Sequence, residues 1–290
     1  MNIVYYTSGT TGFGRVIIGI SIGNALIRNK AECNYTIVSN SSKPGLAQGF
    51  NHINLPVEDE FDLSKENYQN SIIYNTLHRL KPDVLIVNHI WFNLYNFIHE
   101  LNCKTIYLSD LVDDRFFSIS LKDETIKFID VGFDRVIAIE PFKSSIEMEL
   151  INPLLLRNRD EIFSREVALE RLGKDGKKKL ALYGMDGHPY DTDELRNKYL
   201  YLEDVGYEII YPKKYGDTIY PISDYYNGLD FLIYGAGYTQ FWEAVYFNKE
   251  AVFNPYKLRF SDQSYRVQEC QEYYFDENGA DQLVDIIMNM

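Results

Sequence analysis

The sequence is poor in cysteine and has no long apolar run. Its 290 residues include only three cysteines, Cys33, Cys103 and Cys270, which lie far apart. An odd number of distant cysteines excludes a disulfide framework and a metal knuckle, and it indicates a reducing compartment. No window approaches the roughly 18 consecutive apolar residues of a membrane-spanning helix. The chain opens on an apolar strand-like run without a basic leader, so we expect no signal peptide and a cytoplasmic location, with peripheral membrane attachment left open.

Positive charge is also scarce. The chain has 29 Lys and Arg against 42 Asp and Glu, a net charge of −13. A surface with that charge repels phosphate backbones, so nucleic acid is not expected as a partner. The hydrophobic content of 46% and the charged content of 24% are typical of a folded globular protein.

Short apolar runs alternate with helix-like segments along the whole chain, which predicts parallel α/β sheets. A polar stretch at 152–165 separates two such sets. We therefore predict two Rossmann-like domains, 1–150 and 151–290, that face each other across a cleft at the carboxyl ends of both sheets. The predicted strands are 2–6, 34–38, 84–87, 105–108, 135–139, 180–183, 208–211, 231–234 and 251–253. The predicted helices are 16–28, 67–80, 92–101, 165–172, 192–203, 239–247, 262–272 and 280–288.

Glycine-rich loops follow the first strand of each predicted domain. The first loop ends in Gly12, Phe13, Gly14 and Arg15, and the second contains Gly184, Asp186 and Gly187. Glycine allows a tight turn and close approach of a ligand, and a following helix supplies N–H groups and partial positive charge. Each loop also fits a turn that binds nothing. Neither contains the G-x-G-x-x-G pattern of nicotinamide-cofactor sites, and we expect no cofactor.

A third glycine loop lies near the C-terminus, where a predicted strand runs into Gly235-Ala236-Gly237 and then into a helix. The N-terminus of that helix suits phosphate groups. Glu243 lies about one turn after Thr239 on the same side of the helix. A carboxylate at this place can accept two hydrogen bonds from a ribose diol.

The next predicted strand is followed by Asn254-Pro255 and then by Asp262-Gln263. Both side chains can hydrogen-bond sugar hydroxyls, and Asp262 can instead cap the helix that follows it. The order Gly-Ala-Gly-Tyr-Thr-x-Phe-x-Glu-Ala, strand, Asn-Pro, Asp-Gln resembles the donor half of GT-B glycosyltransferases. It is most similar to the lipid II N-acetylglucosaminyltransferase and the UDP-glycosyltransferases. The C-terminal block is the specific part of this resemblance, and the two other glycine loops are generic.

The resemblance implies a GT-B fold and a metal-independent enzyme. Such an enzyme moves a sugar from a nucleoside-diphosphate sugar, expected to be UDP-linked, to an acceptor hydroxyl of a small molecule, glycan or lipid-linked compound. The resemblance also implies roles for residues of the second half. Glu243 would hold the ribose, and the diphosphate would be held by Ala236, Gly237, Tyr238 and Thr239. The donor sugar would contact Asp262 and Gln263, and the base would be read by Ile219 and Tyr220. The loop with Gly184, Asp186 and Gly187 would face the sugar and phosphate.

The first glycine loop departs from the family pattern. Many relatives carry a histidine where this chain has Arg15. A guanidinium stays protonated near neutral pH, so it cannot act as a general base, but it can bind a phosphate or an acidic acceptor. We therefore assign Gly12, Phe13, Gly14 and Arg15 to the acceptor or phosphate side. Two alternatives to an active transferase stay open: a non-catalytic nucleotide-sugar-binding or partner protein, and a sugar-nucleotide epimerase of the same fold.

Other residues could supply the missing base. Asp110, Asp113 and Asp114 follow the strand 105–108, and His89 follows the strand 84–87. For His89 a packed or surface histidine is the favoured interpretation, whereas the aspartates equally fit a solvated turn that caps a helix. His188 is a further candidate in the donor half. The stretch Asp191-Thr192-Asp193 resembles a metal-binding Asp-x-Asp but fits a helix cap better, and no bound metal is expected.

Overall fold

The computed structural model describes residues 1–8, 14–41, 44–47, 49–121, 124–185, 191–212 and 219–290. Five positions singled out in the sequence, Gly12, Phe13, Asp186, Gly187 and His188, lie outside these ranges. The chain forms two compact units. The first unit comprises Met1–Leu156, Arg259–Ser261 and Glu277–Met290, and the second comprises Arg157–Leu258 and Asp262–Asp276.

Strands and α-helices alternate in only part of the chain, because within the described residues from 84 to 150 the strands follow one another with 3₁₀ turns and loops and no α-helix between them. Up to Leu150 the regular elements are β1 (Asn2–Thr7), α1 (Gly14–Arg28), β2 (Asn34–Ser39), β3 (Asn51–Asn54), α2 (Ile72–Leu80), β4 (Val84–Asn88), β5 (Lys104–Ser109), β6 (Ser118–Ser120), β7 (Thr125–Lys127), β8 (Arg135–Ala138) and β9 (Glu149–Leu150). The remaining elements are α3 (Arg165–Arg171), β10 (Lys179–Tyr183), α4 (Asp193–Lys198), α5 (Tyr201–Asp204), β11 (Tyr207–Ile210), β12 (Phe231–Gly235), α6 (Tyr238–Tyr246), β13 (Ala251–Asn254), α7 (Ser264–Glu269) and α8 (Gly279–Met288).

The first unit contains a parallel sheet of order β3-β2-β1-β4-β5-β8-β9. Its central strands are buried on both faces, which explains their continuous apolar runs. The chain leaves β1 in one direction for β2 and returns on the other side as β4. Ligands of open α/β sheets bind outside the carboxyl ends of strands at such a switch point. Gly14, which begins α1 after β1, and His89 therefore lie where this fold places a site.

The second unit contains a parallel sheet of order β11-β10-β12-β13. Leu180, Leu182 and Leu232 fill the core on one face. Ala181 and Ile233 belong to the core on the opposite face. The switch point lies between β10 and β12. The second glycine loop begins at the carboxyl end of β10, and the third begins at the carboxyl end of β12.

One predicted helix is wrong. The stretch 92–101 forms two 3₁₀ turns, Trp91–Leu94 and Ile98–Glu100. The buried side chains Trp91, Leu94 and Phe97 recur every third residue, which is the period of a 3₁₀ helix. The indole N–H of Trp91 donates to the carbonyl of Phe116 at 3.1 Å and fixes the first turn.

Other predicted helices are shorter than expected. α2 begins at Ile72 because the Ser71 hydroxyl caps it by accepting the N–H of Tyr74. The stretch 192–203 is divided into α4 and α5, and 262–272 retains only α7. The short strands β3 and β9 and the hairpin β6–β7 were not predicted from the sequence.

The C-terminal helix α8 belongs to the first unit, where Arg28 of α1 pairs with Asp281 at 2.8 Å. The compact units thus differ from the predicted domains at this helix. Cys33, Cys103 and Cys270 are free thiols. Among the described residues, no helix combines the length and the apolar character needed to span a membrane.

Candidate functional site

The start of α6 in the second unit has an uncapped N-terminus. Gly237 is the N-cap residue, and within the described part of the chain no side chain caps the helix and no acidic residue lies in its first turn. A Cβ built on Gly237 would meet no atom within 4 Å. The first-turn N–H groups and the helix dipole therefore make this turn suitable for an anion.

Three buried polar atoms of the second unit lack a hydrogen-bond partner within the described ranges, and two of them belong to residues at the starts of α6 and α7. They are Thr239 Oγ1, in the first turn of α6, and Gln263 Oε1, on a residue that is only 3% exposed. The third is Ser223 Oγ. Because buried polar groups in folded proteins are nearly always paired, Thr239 and Gln263 are candidates for contacts with a polar ligand.

Glu243 is buried one turn further along α6, with 6% of its surface exposed. The Tyr226 hydroxyl donates to its Oε2 at 3.3 Å, and the hydroxyls of Tyr226 and Tyr234 lie 3.2 Å apart. Burial raises the pKa of Glu243 to about 7, against a smaller lowering by Tyr226. The Ser223 hydroxyl also lowers this pKa but makes no hydrogen bond of standard geometry within the described residues. The carboxylate of Glu243 therefore keeps unused capacity to accept hydrogen bonds.

We expect Glu243→Gln to stabilise the protein at pH 8 and not at pH 5. A carboxyl whose pKa is raised on folding disfavours the folded state once the pH passes its unfolded value, and the full cost is present above pH 7. Glutamine keeps an acceptor for Tyr226 but carries no charge, so the gain at pH 8 is on the order of 2–3 kcal/mol. Urea unfolding at both pH values measures it; a variant less stable than wild type at pH 8 would contradict a raised pKa.

The predicted base-reading segment lies beside this carboxylate. Partial burial and then the charge of Glu243 raise the pKa of Tyr220 to about 12, so the two side chains are electrostatically coupled. Ile219 and Tyr220 are followed by Pro221 and by an ion pair in which Arg157 Nε lies 2.8 Å from Asp224 Oδ1. The structure therefore brings the predicted ribose and base positions together.

Gly184 is required for packing. Its N–H donates to the carbonyl of Ile233 at 2.8 Å, and its own carbonyl accepts Nε2 of Gln240 at 2.9 Å. A Cβ built on Gly184 would lie 2.2 Å from the ring of Tyr234. Gly184, the first residue after β10, is thereby held against β12 and the first turn of α6.

Gly184→Ala and Gly237→Ala are expected to differ in their effect on stability. The first places a methyl group inside the Tyr234 ring and should cost about 1–3 kcal/mol, the usual penalty of overpacking. The second meets no described atom at a φ of −64°, which any residue adopts, and should cost about 0.5–1 kcal/mol, because glycine is preferred to alanine at an N-cap. Chemical denaturation of both variants measures the difference; equal losses would show that the turn before α6 is packed rather than open.

A cavity of about 420 Å³ adjoins these two loops, a size typical of ligand pockets. Met185 and Tyr256 line it, and both lie within 4 Å of a Cβ built on Gly235, so the cavity borders the turn before α6. The remaining lining residues are Thr192, Glu194, Leu195, Lys198, Asn254 and Pro255.

The acidic stretch 191–193 and Asp262 both lie at helix starts, where capping was the alternative to ligand binding. Asp262 accepts the N–H of Ser264 at 3.0 Å, and this bond lowers its pKa. Thr192 caps α4, while Asp191 accepts the Tyr183 hydroxyl and pairs with Arg196. The sugar-binding role of Asp262 stays a prediction.

The first unit holds an imidazole–carboxylate pair at its switch point. His89 follows β4 in the left-handed region, at a φ of 69°, and its Nδ1 lies 2.7 Å from Oδ1 of Asp110, which follows β5. The Tyr107 hydroxyl donates to the carbonyl of His89 at 3.1 Å and holds the backbone of His89 in place. This conformation is uncommon for a non-glycine residue, which makes His89 a candidate functional position.

His89 is held in its neutral form. Burial and the charge of Arg15 lower its pKa, and together they outweigh the opposing effect of Asp110. With Nδ1–H donating to Asp110, Nε2 is the proton acceptor, which is the arrangement of an oriented general base. His89 is 8% exposed.

Arg15 lies in the first turn of α1, directly after Gly14. Its Nη1 donates to the carbonyl of Ser8 at 2.8 Å, and its own carbonyl accepts the Tyr5 hydroxyl at 2.6 Å. The charge of Arg15 acts on His89, so Gly14, Arg15, His89 and Asp110 belong to one region of the first unit.

Asp113 is engaged elsewhere. Its carboxylate caps the 3₁₀ turn Asp114–Phe117 by accepting the N–H of Arg115 at 3.0 Å, and it also pairs with the Arg115 guanidinium. Asp114 accepts the N–H of Ser145 at 2.8 Å. The helix-cap alternative thus describes Asp113, and Asp114 binds the backbone of a loop, in contrast to Asp110.

Comparison by sequence finds no matching protein-family model and no matching curated protein. Comparison of structures finds the spinosyn forosaminyltransferase SpnP, with a TM-score of 0.63 and 11% identity over 99% of this chain and 90% of that one. MurG of Acinetobacter baumannii matches with a TM-score of 0.54 and 12% identity over 99% and 91%. The chain has the GT-B fold. A Listeria monocytogenes protein described as a UDP-N-acetylglucosamine 2-epimerase is also similar, with a TM-score of 0.54 and 10% identity over 100% and 96%.

The GT-B fold explains why two Rossmann-like sheets occur in one chain, and it confirms the predicted fold class. Sequence reasoning missed Arg266 of α7, whose side chain is 3% exposed and whose Nη1 donates to the Ala236 carbonyl at 3.0 Å. The signal was present, because Arg266 follows Gln263 by three residues in a helix and so shares its side.

Proposed function

We propose that the protein is a glycosyltransferase that moves a sugar from a nucleoside-diphosphate sugar to an acceptor hydroxyl. The observation that carries this proposal is the pairing of an open helix N-terminus with a buried carboxylate on the same helix. Thr239 and Glu243 are four residues apart, about 6 Å along the axis of α6. This spacing suits a diphosphate at the helix start and the ribose of the same nucleotide at Glu243.

In this proposal the second unit binds the donor, as the assignment of residues 151–290 to a donor domain implies. The backbone of Ala236, Gly237, Tyr238 and Thr239 holds the diphosphate, and Tyr220 with Ile219 contacts the base. The orphaned Oε1 of Gln263 accepts a hydroxyl of the donor sugar. The cavity beside Gly235 has the volume for that sugar.

The first unit, within residues 1–150, supplies the acceptor side. His89 removes the proton of the acceptor hydroxyl through Nε2, while Asp110 orients the ring and stabilises the imidazolium that forms. The hydroxyl oxygen attacks the anomeric carbon, and the bond from that carbon to the diphosphate oxygen breaks. The N–H groups at the start of α6 stabilise the charge of the departing diphosphate, so the helix performs the role that a metal ion has elsewhere.

Incubation of the protein with UDP-, dTDP- and GDP-linked sugars tests the proposal. A transferase releases free nucleoside diphosphate from at least one donor, slowly with water and faster with an acceptor. Binding without release would identify a nucleotide-sugar-binding protein. Interconversion of the sugar with no released diphosphate would favour an epimerase, the alternative supported by the similarity to the Listeria protein.

A further inference from the structure

Two buried tyrosine hydroxyls and the Glu243 carboxylate form a chain in the second unit. The Tyr226 hydroxyl donates to Oε2 of Glu243 at 3.3 Å, and the hydroxyls of Tyr226 and Tyr234 lie 3.2 Å apart. A hydroxyl has one proton to donate, so Tyr226 accepts from Tyr234 while it donates to Glu243. The chain of hydrogen bonds therefore runs from Tyr234 through Tyr226 to Glu243.

We infer that Tyr226, supported by Tyr234, is a positioning residue for Glu243 and makes the donor site selective for a ribonucleotide. Tyr226 occupies Oε2, which is the one hydrogen bond of standard geometry that the described residues make to this carboxylate. Oε1 is left to accept from the hydroxyls of a ribose. This inference rests on the proposed function.

Packing fixes the rings of both tyrosines. Tyr226 is fully buried, and its ring packs edge-on against Phe247 with 5.2 Å between the ring centroids. Tyr234 is buried so close to Gly184 that a Cβ built on the glycine would lie 2.2 Å from its ring. Neither hydroxyl oxygen can move without moving the core, so the position of Oε2 is set before a ligand binds.

Packing does not explain the hydroxyls themselves. Both tyrosine rings belong to the apolar core on one face of the second sheet, which phenylalanine rings would fill equally well. A buried hydroxyl costs free energy unless it is hydrogen-bonded, and the described partners of these two hydroxyls are each other and Glu243. The two hydroxyls are therefore explained by the carboxylate that they support.

The hydrogen bond from Tyr226 also favours the ionised form of Glu243. Burial raises the pKa of Glu243 to about 7, and this hydrogen bond opposes the increase. Loss of the Tyr226 hydroxyl should raise that pKa further, so less of the protein carries the ionised carboxylate at pH 7. The neighbouring groups that stay unchanged are Ser223 and Arg157, which lower this pKa, Asp224, which raises it, and Tyr220, whose own pKa Glu243 raises.

Calorimetry of UDP and dUDP at pH 6, 7 and 9 tests the inference. In Tyr226→Phe, UDP binding at pH 7 is expected to weaken by roughly 10-fold and dUDP binding by about 2-fold or less, because dUDP lacks one of the hydroxyls that Glu243 accepts. The loss for UDP should be smaller at pH 9, where Glu243 is ionised in both proteins. The nucleotide phosphate titrates alike with both proteins, so its contribution cancels in the comparison. GDP and dGDP replace this pair if the protein prefers guanine.

Two further variants separate positioning from a general loss of stability. Tyr234→Phe keeps the donor to Oε2 and removes only the hydroxyl behind it, so it should change the same quantities in the same direction by a smaller factor. It also provides the test if Tyr226→Phe does not fold. Tyr35→Phe is the matched control, because its hydroxyl donates to the carbonyl of Gly19 at 2.6 Å in the first unit. This variant should lower the melting temperature and leave the ratio of UDP to dUDP affinity unchanged at every pH.

The outcomes separate this inference from the function on which it rests. Equal losses of UDP and dUDP affinity in Tyr226→Phe, or a loss that is as large at pH 9 as at pH 7, would overturn the role of Tyr226 alone. A wild-type protein that binds dTDP alone, or that does not distinguish a ribonucleotide from its 2′-deoxy form, overturns the inference but not the transferase function. If UDP, GDP and dTDP all fail to bind the wild type, the proposed function itself is overturned, and the inference with it.

Discussion

His89→Ala is expected to lower kcat for sugar transfer by about 10²–10⁴-fold, the usual contribution of a positioned general base. The dissociation constant of the nucleoside diphosphate should not change, because His89 belongs to the first unit and the proposed donor residues to the second. Steady-state kinetics on the active donor, together with calorimetry of its nucleoside diphosphate, measures the two quantities separately.

Asp113→Ala is the matched control for this experiment. Asp113 caps a 3₁₀ turn after the same strand that Asp110 follows, so its loss should cost about 1 kcal/mol of stability and leave kcat unchanged. Because the pKa of His89 is lowered, the acid limb of kcat/KM is expected below the ordinary histidine value of 6.5. Full activity in His89→Ala, or an acid limb above 6.5 in the wild type, would contradict the assignment of the base.

Glu243→Ala is expected to weaken binding of a ribonucleoside diphosphate by about 1.5–3 kcal/mol, the value of hydrogen bonds to a charged group. The 2′-hydroxyl provides a sharper test. Wild type should prefer UDP to dUDP, and the preference should vanish in Glu243→Ala because the acceptor of that hydroxyl is gone. Calorimetry of both ligands with both proteins completes the cycle; a preference that survives in the variant would place the ribose elsewhere.

The raised pKa of Glu243 makes the same contact depend on pH. Hydrogen bonds donated by the ribose hydroxyls to the Glu243 carboxylate favour its ionised form, so ligand binding releases the proton of a protonated Glu243. With a pKa of about 7 in the unliganded protein, the affinity should rise roughly 10-fold between pH 6 and pH 8. Glu243→Gln removes this contribution and leaves only the titration of the nucleotide phosphate, which serves as the control.

The C-terminal block was readable from sequence because its constraints are local. A buried strand, two glycines and an acidic residue one turn into a helix fix the geometry of Gly237 and Glu243 whatever surrounds them. The partners of Glu243 were not readable in the same way. Tyr226 reaches the carboxylate from a 3₁₀ helix at 222–228, and burial by such distant segments is what raises its pKa.

In the first unit, the residues of the proposed acceptor side could be predicted only in part from the sequence. His89 and Asp110 are separated by 21 positions, and only the pairing of β4 with β5 brings them together. The sequence gives Asp110 and Asp113 equal standing, whereas the turn after β5 directs the first toward His89 and the second into a cap. The placement of α8 in the first unit could likewise not be predicted from the sequence, because an apolar helix face does not identify the surface against which it packs.

A crystal structure of the protein with UDP tests the central claim most directly. The account predicts the ribose hydroxyls within hydrogen-bond distance of Glu243 and the diphosphate oxygens on the N–H groups of Gly237–Thr239. It also predicts that the base lies beside Tyr220. A nucleotide bound elsewhere, with Glu243 still covered by Tyr226 and the start of α6 unchanged, would contradict it.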